Sequence, residues 1–218
     1  LAVDKPWSIE HPPLMQKAID QIDSLRRRAL ESLRSVDRAV GAIVEQLESA
    51  GTLDNTVIVF TSDNGFLFGE HRLTGKTWAY EPSIRVPMIV RVPWRTSRVL
   101  EPRPVLNVDL ASTLAELAGV RPGLPQDGRS LVPLLRGRTV TWRSEVLIEW
   151  LGEKSDVHPQ PYRAIRTDRW KLIVYEDDSR ELYDLSKDAD ELNSLALNPA
   201  YDMIERNLLS RLRALAAG

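Results

Sequence analysis

The longest regular pattern of hydrophobic residues lies in the first quarter of the chain. Between residues 14 and 47 the hydrophobic positions are separated by steps of three or four: Leu14, Ala18, Ile22, Leu25, Ala29, Leu33, Val36, Val40, Ile43 and Leu47. This spacing places them on one face of an α-helix. It predicts one long helix, or two helices in tandem, ending near Gly51, where a left-handed C-terminal cap is favoured.

Two runs of apolar and β-branched residues follow this predicted helix. One runs from Thr56 to Thr61 and the other from Val86 to Val92. Both have the length and composition of buried strands, and we expect the long helix to cover one face of their sheet. A further helix, capped within Asn107–Asp109 and stopped by Gly119, is predicted to pack in the same α/β region.

The pattern changes after about residue 130. Strand candidates separated only by turn signals occupy residues 145–150, 162–167, 170–176 and 181–185. Closely spaced strands without intervening helices predict an antiparallel sheet. Asn198-Pro199 is a favourable helix start, and it introduces a final amphipathic helix. We therefore predict an α/β fold class with two parts: residues 1–130, and a small antiparallel-sheet subdomain of residues 131–218 packed by the C-terminal helix.

Composition narrows the classes of function. The 218 residues are 43% hydrophobic and 28% charged, with a formal net charge of −2. There is therefore no overall positive charge to attract nucleic acid, and no apolar stretch is long enough to cross a bilayer. Because the chain has no cysteine, disulfides and thiolate metal sites are excluded.

The candidate chemistry lies between the two predicted strands of the α/β region. Asp63 and Asn64 follow the first strand directly and precede Gly65; we call this pair the Asp-Asn corner. Carboxylate and amide oxygens suit Ca²⁺ or Mg²⁺, so the corner is a candidate for two metal ligands. Asn-Gly is equally typical of a hairpin turn, and from this dipeptide alone both interpretations stay open.

Three further ionisable residues are candidates for a site. Lys76 is a candidate anion contact, against the alternative of a solvated loop lysine. His71 has the chemistry of a proton donor or of a residue that orients another group, and a structural role is the alternative. His11, in the proline-rich segment before the long helix, is interpreted as mainly structural.

The order of these motifs resembles the second signature region of the sulfatases, members of the alkaline-phosphatase-like superfamily. The resemblance rests on TVIVFTSDNG, GEHR, Lys76 and YEPSIRVPMIV, and it continues through VDLASTLAELAG, DGRSLVPLL and ELYDLSKDADELNSLALNP. It is strongest to the arylsulfatase and glucosamine-6-sulfatase type. It implies part of an alkaline-phosphatase-like sheet with flanking helices, followed by the small antiparallel sheet.

The resemblance also implies roles for individual residues. Asp63 and Asn64 would be two ligands of the Ca²⁺ ion of the family, with Mg²⁺ as the alternative. Lys76 would bind the sulfate and stabilise the leaving oxygen, whereas His71 lies within a motif without a role that carries over. The implied substrate is a sulfated small molecule or sugar.

The chain departs from the sulfatase pattern in its nucleophile. Sulfatases use a formylglycine made in a Cys/Ser-x-Pro-x-Arg motif, and neither form of the motif occurs here, nor does the early Asp-Asp pair. We therefore expect the C-terminal half of a sulfatase, inactive alone, whose partner is the N-terminal half of the same protein. The alternatives are a metal-dependent phosphodiesterase or phosphonate monoester hydrolase of the same superfamily, and a non-catalytic sulfate-binding or assembly module.

Overall fold

The hydrophobic repeat at the beginning of the chain forms one continuous helix. A computed structural model describes Lys5 and residues 13–152 and 158–217, so His11 lies outside the described residues. Helix α1 spans Gln16–Ser49. Gly51 follows it with φ 65°, which confirms the predicted end of the helix and its left-handed cap.

The hydrophobic stripe of α1 is only partly covered. None of the residues of α1 is buried, and of the stripe Leu33 and Ile43 are each more than half exposed. The helix packs instead on the short 3₁₀ turn Leu53–Asn55 and on residues 67–68. The predicted covering of a sheet face by this helix is therefore not seen in the described part of the chain.

The two predicted strands of the α/β region pair with each other. Strand β1 (Ile58–Thr61) runs antiparallel to β4 (Met88–Arg91). Both are shorter than predicted and half-buried instead of buried. Their cross-strand partners Phe60 and Ile89 are 36% and 62% exposed, because no described residues cover the face that they share.

The segment between β1 and β4 contains short elements. Strand β2 (Leu67–Phe68) pairs with β3 (Thr74–Gly75) around a 3₁₀ turn at Glu70–Arg72, and helix α2 spans Glu81–Ile84. Several of its side chains form one core cluster with the C-terminal sheet: Leu67, Leu73, Trp78, Ala79, Tyr80, Tyr162, Ala164, Ile173, Tyr175 and Tyr183. The two predicted parts of the chain thus share a core, and their division into domains stays a prediction.

Two further helices connect the two parts. Helix α3 (Asp109–Leu117) ends before Gly119, where φ is 67°, as predicted, and α4 spans Val132–Leu135. The fully buried Asp109 carboxylate accepts hydrogen bonds from the backbone N–H groups of Leu106 and Arg129, and it pairs with Arg143. Although burial alone would raise the pKa of Asp109, Arg143 and these N–H groups lower it. One carboxylate therefore joins three segments of the loop region.

The C-terminal sheet agrees closely with its prediction. Its four strands are antiparallel and lie in sequence order: β5 (Glu145–Trp150), β6 (Tyr162–Thr167), β7 (Trp170–Tyr175) and β8 (Arg180–Asp184). Helix α5 (Asp202–Ala217) packs Leu208 and Leu212 on one face of the sheet, opposite the core cluster shared with residues 67–80. Among the described helices, none has both the length and the hydrophobicity needed to span a bilayer.

Candidate active site

The Asp-Asn corner lies where β1 ends, and it is not a hairpin turn. Strand β1 pairs with β4, whereas the next strand along the chain, β2, pairs with β3. A tight Asn-Gly hairpin would have joined β1 directly to β2. The hairpin interpretation of Asn64-Gly65 is therefore wrong.

Gly65 is required by a close backbone approach. Its N–H donates to the Ser83 carbonyl at 2.8 Å, and a Cβ atom at this position would lie 2.0 Å from the Pro82 carbonyl oxygen. No side chain fits in that space. Backbone contacts with the turn at α2 therefore fix the position of the residue that follows the Asp-Asn corner.

Hydrogen bonds within the corner orient its side-chain oxygen atoms. Asp63 is exposed, and its Oδ1 accepts from the Asn64 N–H at 2.9 Å. The Asn64 Nδ2 donates to the Gly65 carbonyl at 2.8 Å, which identifies Oδ1 as the acceptor atom of the amide on the other side. The second carboxylate oxygen of Asp63 and one lone pair of Asn64 Oδ1 are thus available to a metal ion.

The structure brings Lys76 to this corner. Its Nζ donates to Asn64 Oδ1 at 3.1 Å. The residues on either side have left-handed backbone conformations, with φ 101° at Gly75 and 81° at Thr77. Three of the four predicted site residues, namely Asp63, Asn64 and Lys76, are therefore neighbours in space.

His71 lies in the interior of the protein. Its ring stacks on Tyr80 at 3.9 Å between centroids, and its Nδ1 has no hydrogen-bond partner among the described residues. Burial, followed by the nearby charges of Lys5 and Lys171, lowers the pKa of His71 to about 3. Because a neutral imidazole is a poor proton donor, these surroundings support the structural alternative, and a catalytic role for His71 stays a prediction.

A buried carboxylate beside Tyr80, Glu181, was not singled out in the sequence. Glu181 is inaccessible and accepts from the hydroxyls of Tyr80 and Tyr175 at 2.8 and 2.6 Å. Burial and the charge of Glu181 raise the pKa of both tyrosines, so they stay protonated donors. This hydrogen-bond network fixes the polar groups inside the shared core.

Lys171 joins the C-terminal sheet to the turn at α2. Its inaccessible Nζ lies 2.8 Å from Glu81 Oε1 and 2.6 Å from Glu191 Oε1, and it donates to the Ala79 carbonyl at 2.9 Å. Glu191 also accepts from the Glu81 N–H at 2.7 Å, and burial raises the pKa of Glu191. The lysine at an inward position of the apolar run WKLIVY was the available sequence signal, because a buried lysine needs anionic partners.

The described residues contain no group of three or more His, Cys, Asp or Glu side chains able to hold a metal ion. Asp63 and Asn64 nevertheless offer the hard oxygen donors that Ca²⁺ and Mg²⁺ prefer. Since such a cation takes six or more ligands, the corner fits one part of a coordination shell.

Two family models match the chain. The sulfatase model matches residues 5–120, and the model of the C-terminal part of N-sulphoglucosamine sulphohydrolase matches residues 69–218. Together they cover both the candidate site and the C-terminal sheet. The chain belongs to the sulfatase family.

Curated relatives agree with this assignment. The chain is 34% identical over 232 residues to N-acetylglucosamine-6-sulfatase of Bos taurus, an alignment that covers 88% of this chain and 41% of the relative. It is 37% identical over 179 residues to choline-sulfatase of Rhizobium meliloti, covering 80% of this chain and 33% of the relative. The chain therefore spans about two fifths or less of the length of these relatives.

Solved structures share the fold. One, determined in complex with its substrate D-glucosamine-2-N,6-O-disulfate, has a TM-score of 0.73 and 31% identity, covering 84% of this chain and 38% of that one. The phosphonate monoester hydrolase of Agrobacterium radiobacter has a TM-score of 0.72 and 29% identity, covering 84% and 39%. The predicted α/β fold class of the alkaline-phosphatase-like type is confirmed.

Proposed function

We propose that this chain supplies part of the active site of a sulfuric ester hydrolase: metal ligands from Asp63 and Asn64, and a sulfate contact from Lys76. The observation that carries the proposal is the 3.1 Å contact between Lys76 Nζ and Asn64 Oδ1. It brings a side-chain cation to a pair of hard oxygen donors, which is an arrangement suited to an anion held on a metal. Membership of the sulfatase family supports sulfate as that anion.

The proposed metal is Ca²⁺, with Mg²⁺ as the alternative. When bound, such a cation neutralises negative charge on the sulfate oxygens as a Lewis acid. Asp63 contributes a charged oxygen and Asn64 a neutral one, and the remaining ligands come from outside the described residues. The absence of histidine from the corner favours a hard cation over a transition metal.

Lys76 has two proposed tasks. Its ammonium group binds one sulfate oxygen and so orients the ester, and it stabilises the negative charge that develops on the leaving oxygen. Both tasks need the charge to be held in place before the reaction, because an ammonium that has to reorganise loses much of its effect. The hydrogen bond to Asn64 supplies this placement.

The nucleophile is proposed to lie in another part of the same protein. The sequence contains neither cysteine nor a Ser-x-Pro-x-Arg motif from which a formylglycine could be made. We infer that the N-terminal half of the same protein supplies the formylglycine and the other metal ligands. The 218 residues alone are then expected to have no sulfatase turnover.

A sulfated sugar is the substrate class that we propose. A similar structure was solved with a disulfated glucosamine, and a curated relative is named for N-acetylglucosamine 6-sulfate. The likeness to phosphonate monoester hydrolases supports a second candidate, hydrolysis of phosphonate or phosphate esters. A non-catalytic sulfate-binding or assembly module is a third, which would keep the corner and Lys76 but lack turnover.

Kinetics of the whole protein that contains this chain would test the proposal. With an aryl sulfate, Lys76→Ala is expected to lower kcat by about 10²-fold or more, the size of effect seen when one charge-stabilising donor is lost. The exposed Lys187→Ala is the matched control and should leave kcat unchanged. Faster turnover of aryl phosphonates than of aryl sulfates would favour the second candidate, and no turnover of either would favour the third.

Calcium dependence gives a separate test. Asp63→Ala and Asn64→Ala are each expected to raise the Ca²⁺ concentration needed for half-maximal activity. Residues 1–218 alone are expected to release no product from an aryl sulfate with Ca²⁺ present. Hydrolysis by the chain alone would contradict the inference that its nucleophile lies elsewhere.

A further inference from the structure

We propose that Tyr162 and His158, from the C-terminal part of the chain, are positioning residues for Lys76. They hold the neighbouring residue, Thr77, in a backbone conformation that directs Lys76 towards the Asp-Asn corner. A role of this placement in catalysis rests on the proposed function. The placement of Lys76 itself can be tested without measuring catalysis.

The conformation of Thr77 needs an explanation. Its φ is 81°, a value that is rare for any residue with a Cβ atom and a genuine outlier for a β-branched one. Such a conformation persists only where the surrounding structure over-determines it, and it occurs most often at functional sites. Thr77 is the residue directly after Lys76, so its conformation decides the direction in which the chain leaves the lysine.

Tyr162 holds the backbone of Thr77. Its hydroxyl donates to the Thr77 carbonyl oxygen at 2.9 Å, and its side chain is only 4% exposed, at the start of β6. Burial raises the pKa of Tyr162, so the hydroxyl stays a donor throughout the physiological range. The Tyr162 ring also makes an edge contact with Tyr175 on the next strand, and this contact restrains the orientation of the Tyr162 ring.

His158 holds the side chain of the same residue. Its Nδ1 lies 3.0 Å from Thr77 Oγ1, and its ring packs on Trp150 with 5.3 Å between centroids. The Thr77 hydroxyl itself donates to the Lys76 carbonyl. Since that hydroxyl has one proton, its oxygen accepts from His158, and we infer that Nδ1 carries the hydrogen.

The two contacts act on Lys76 together. Tyr162 and His158 hold the carbonyl and the hydroxyl of Thr77, and the hydroxyl in turn holds the Lys76 carbonyl. The lysine Nζ then reaches Asn64 Oδ1. A chain of hydrogen bonds thus connects the C-terminal sheet to the candidate sulfate site.

The test compares two Tyr→Phe substitutions in the 218-residue chain. Tyr162→Phe removes the hydroxyl that donates to the Thr77 carbonyl. Tyr175 is the residue paired with Tyr162 across β6 and β7, and Tyr175→Phe removes a buried hydroxyl that donates to Glu181 instead. Both delete one oxygen from the same core. NMR would report the Thr77 backbone couplings, which depend on φ, and the side-chain amide resonances of Asn64, which is in contact with Lys76.

Tyr162→Phe is expected to change the Thr77 couplings and to shift the Asn64 amide resonances, and Tyr175→Phe to leave both as in the parent chain. His158→Ala should produce the same shifts, and His158→Asn, which retains a side-chain N–H donor, should partly restore the parent values. Unchanged Thr77 and Asn64 signals in Tyr162→Phe, or equal changes in Tyr175→Phe, would overturn the proposal.

A titration with inorganic sulfate separates this inference from the proposed function. If both hold, sulfate shifts the Asn64 signals of the parent chain, and Tyr162→Phe weakens binding by up to about tenfold, as expected for one lost hydrogen bond. If Tyr162→Phe changes the Thr77 couplings but sulfate does not bind the parent chain, the positioning role is supported and the sulfate site is not. Equal sulfate affinity in Tyr162→Phe and the parent would overturn the positioning role.

Discussion

The two larger sheets of this molecule are built from similar residues but differ in how they are covered. The C-terminal sheet has packing on both faces, and Ala164, Ile165, Leu172, Ile173 and Leu182 are completely inaccessible. In the β1–β4 pair, Phe60 and Ile89 stand exposed on one face, and α1 buries none of its residues. A hydrophobic pattern therefore shows which face an element can bury, whereas other parts of the structure decide whether that face is covered.

The covered core and the less covered β1–β4 region also contain two different kinds of polar residue. Charged and polar groups in the shared core, such as Lys171 and Glu181, are held by several partners each. Those after the end of β1 are less enclosed: Asp63 is exposed, and the half-buried Asn64 accepts a hydrogen bond from Lys76. The first group is suited to stability and the second to binding, and substitutions in each group test that contrast.

The strongest expected effect is the pH dependence that His71 gives to stability. Its pKa in the folded chain is about 3, below the ordinary value of about 6.5, so the unfolded chain binds a proton first as the pH falls. Stability is therefore expected to decrease between about pH 6.5 and pH 3, by as much as about 5 kcal/mol, and to be independent of this group above pH 7.

Urea unfolding at several pH values would measure this effect. His71→Phe keeps a ring against Tyr80 but removes the titrating group, so its stability should fall less steeply over the same pH range. Equal slopes for the two chains would show that folding does not lower the pKa of His71.

Lys171→Met is expected to destabilise the chain by about 3–5 kcal/mol, because it leaves the fully buried Glu191 without a cation and the half-buried Glu81 with Arg166 alone. Chemical unfolding would measure the loss. Lys187→Met, at an exposed position, is the control and should change stability by less than about 0.5 kcal/mol. A small effect at Lys171 would mean that the buried ion pairs contribute little net stability.

Gly65→Ala is expected to cost about 2–3 kcal/mol, because the added Cβ would lie 2.0 Å from the Pro82 carbonyl oxygen. The corner has to shift, so Asn64 and Lys76 signals should move in NMR spectra. Gly41→Ala is the control: it lies within α1, nothing lies within 4 Å of its added Cβ, and it should stabilise by about 0.5–1 kcal/mol. A neutral Gly65→Ala would contradict the close approach.

The smallest effect is expected on the exposed face of α1. Leu33 is 53% exposed, so Leu33→Ala should change the stability of the isolated chain by less than about 0.5 kcal/mol. Leu172→Ala, in the fully buried layer, should cost about 2–5 kcal/mol. Similar losses at both positions, measured by chemical unfolding, would show that α1 is covered in solution.

The C-terminal part of the fold was the most predictable. Strands β5 and β6 begin and end at the predicted residues, β7 differs by one residue at its end, and β8 differs by one residue at each end. Short antiparallel strands joined by turns depend mostly on local signals such as alternation and turn residues. The pairing of β1 with β4, by contrast, depends on contacts between residues about 30 positions apart, and no local pattern specified it.

The candidate site was predictable in its residue types but not in its support. Asp63, Asn64 and Lys76 were identified by position and chemistry, and the structure places Lys76 Nζ against Asn64. Tyr162, whose hydroxyl donates to the Thr77 carbonyl, and Lys171, which pairs with Glu81, lie on strands about 80 positions or more further along the chain. The local pattern of each strand is typical of an ordinary sheet. Supporting contacts of this kind come from tertiary packing, and their one local signal in these two strands was the inward position of Lys171.

By itself, the sequence determined the helix-forming repeat of α1, the alternation of the C-terminal strands and the presence of hard oxygen donors beside a lysine, because each depends on residues close together in the chain. Only the tertiary structure decided that Asn64-Gly65 is not a hairpin, that the His71 ring is buried against Tyr80, and that the Thr77 carbonyl accepts a hydrogen bond from the C-terminal sheet. These features depend on which distant groups share a volume from which water is excluded, and that is a property of the folded chain as a whole.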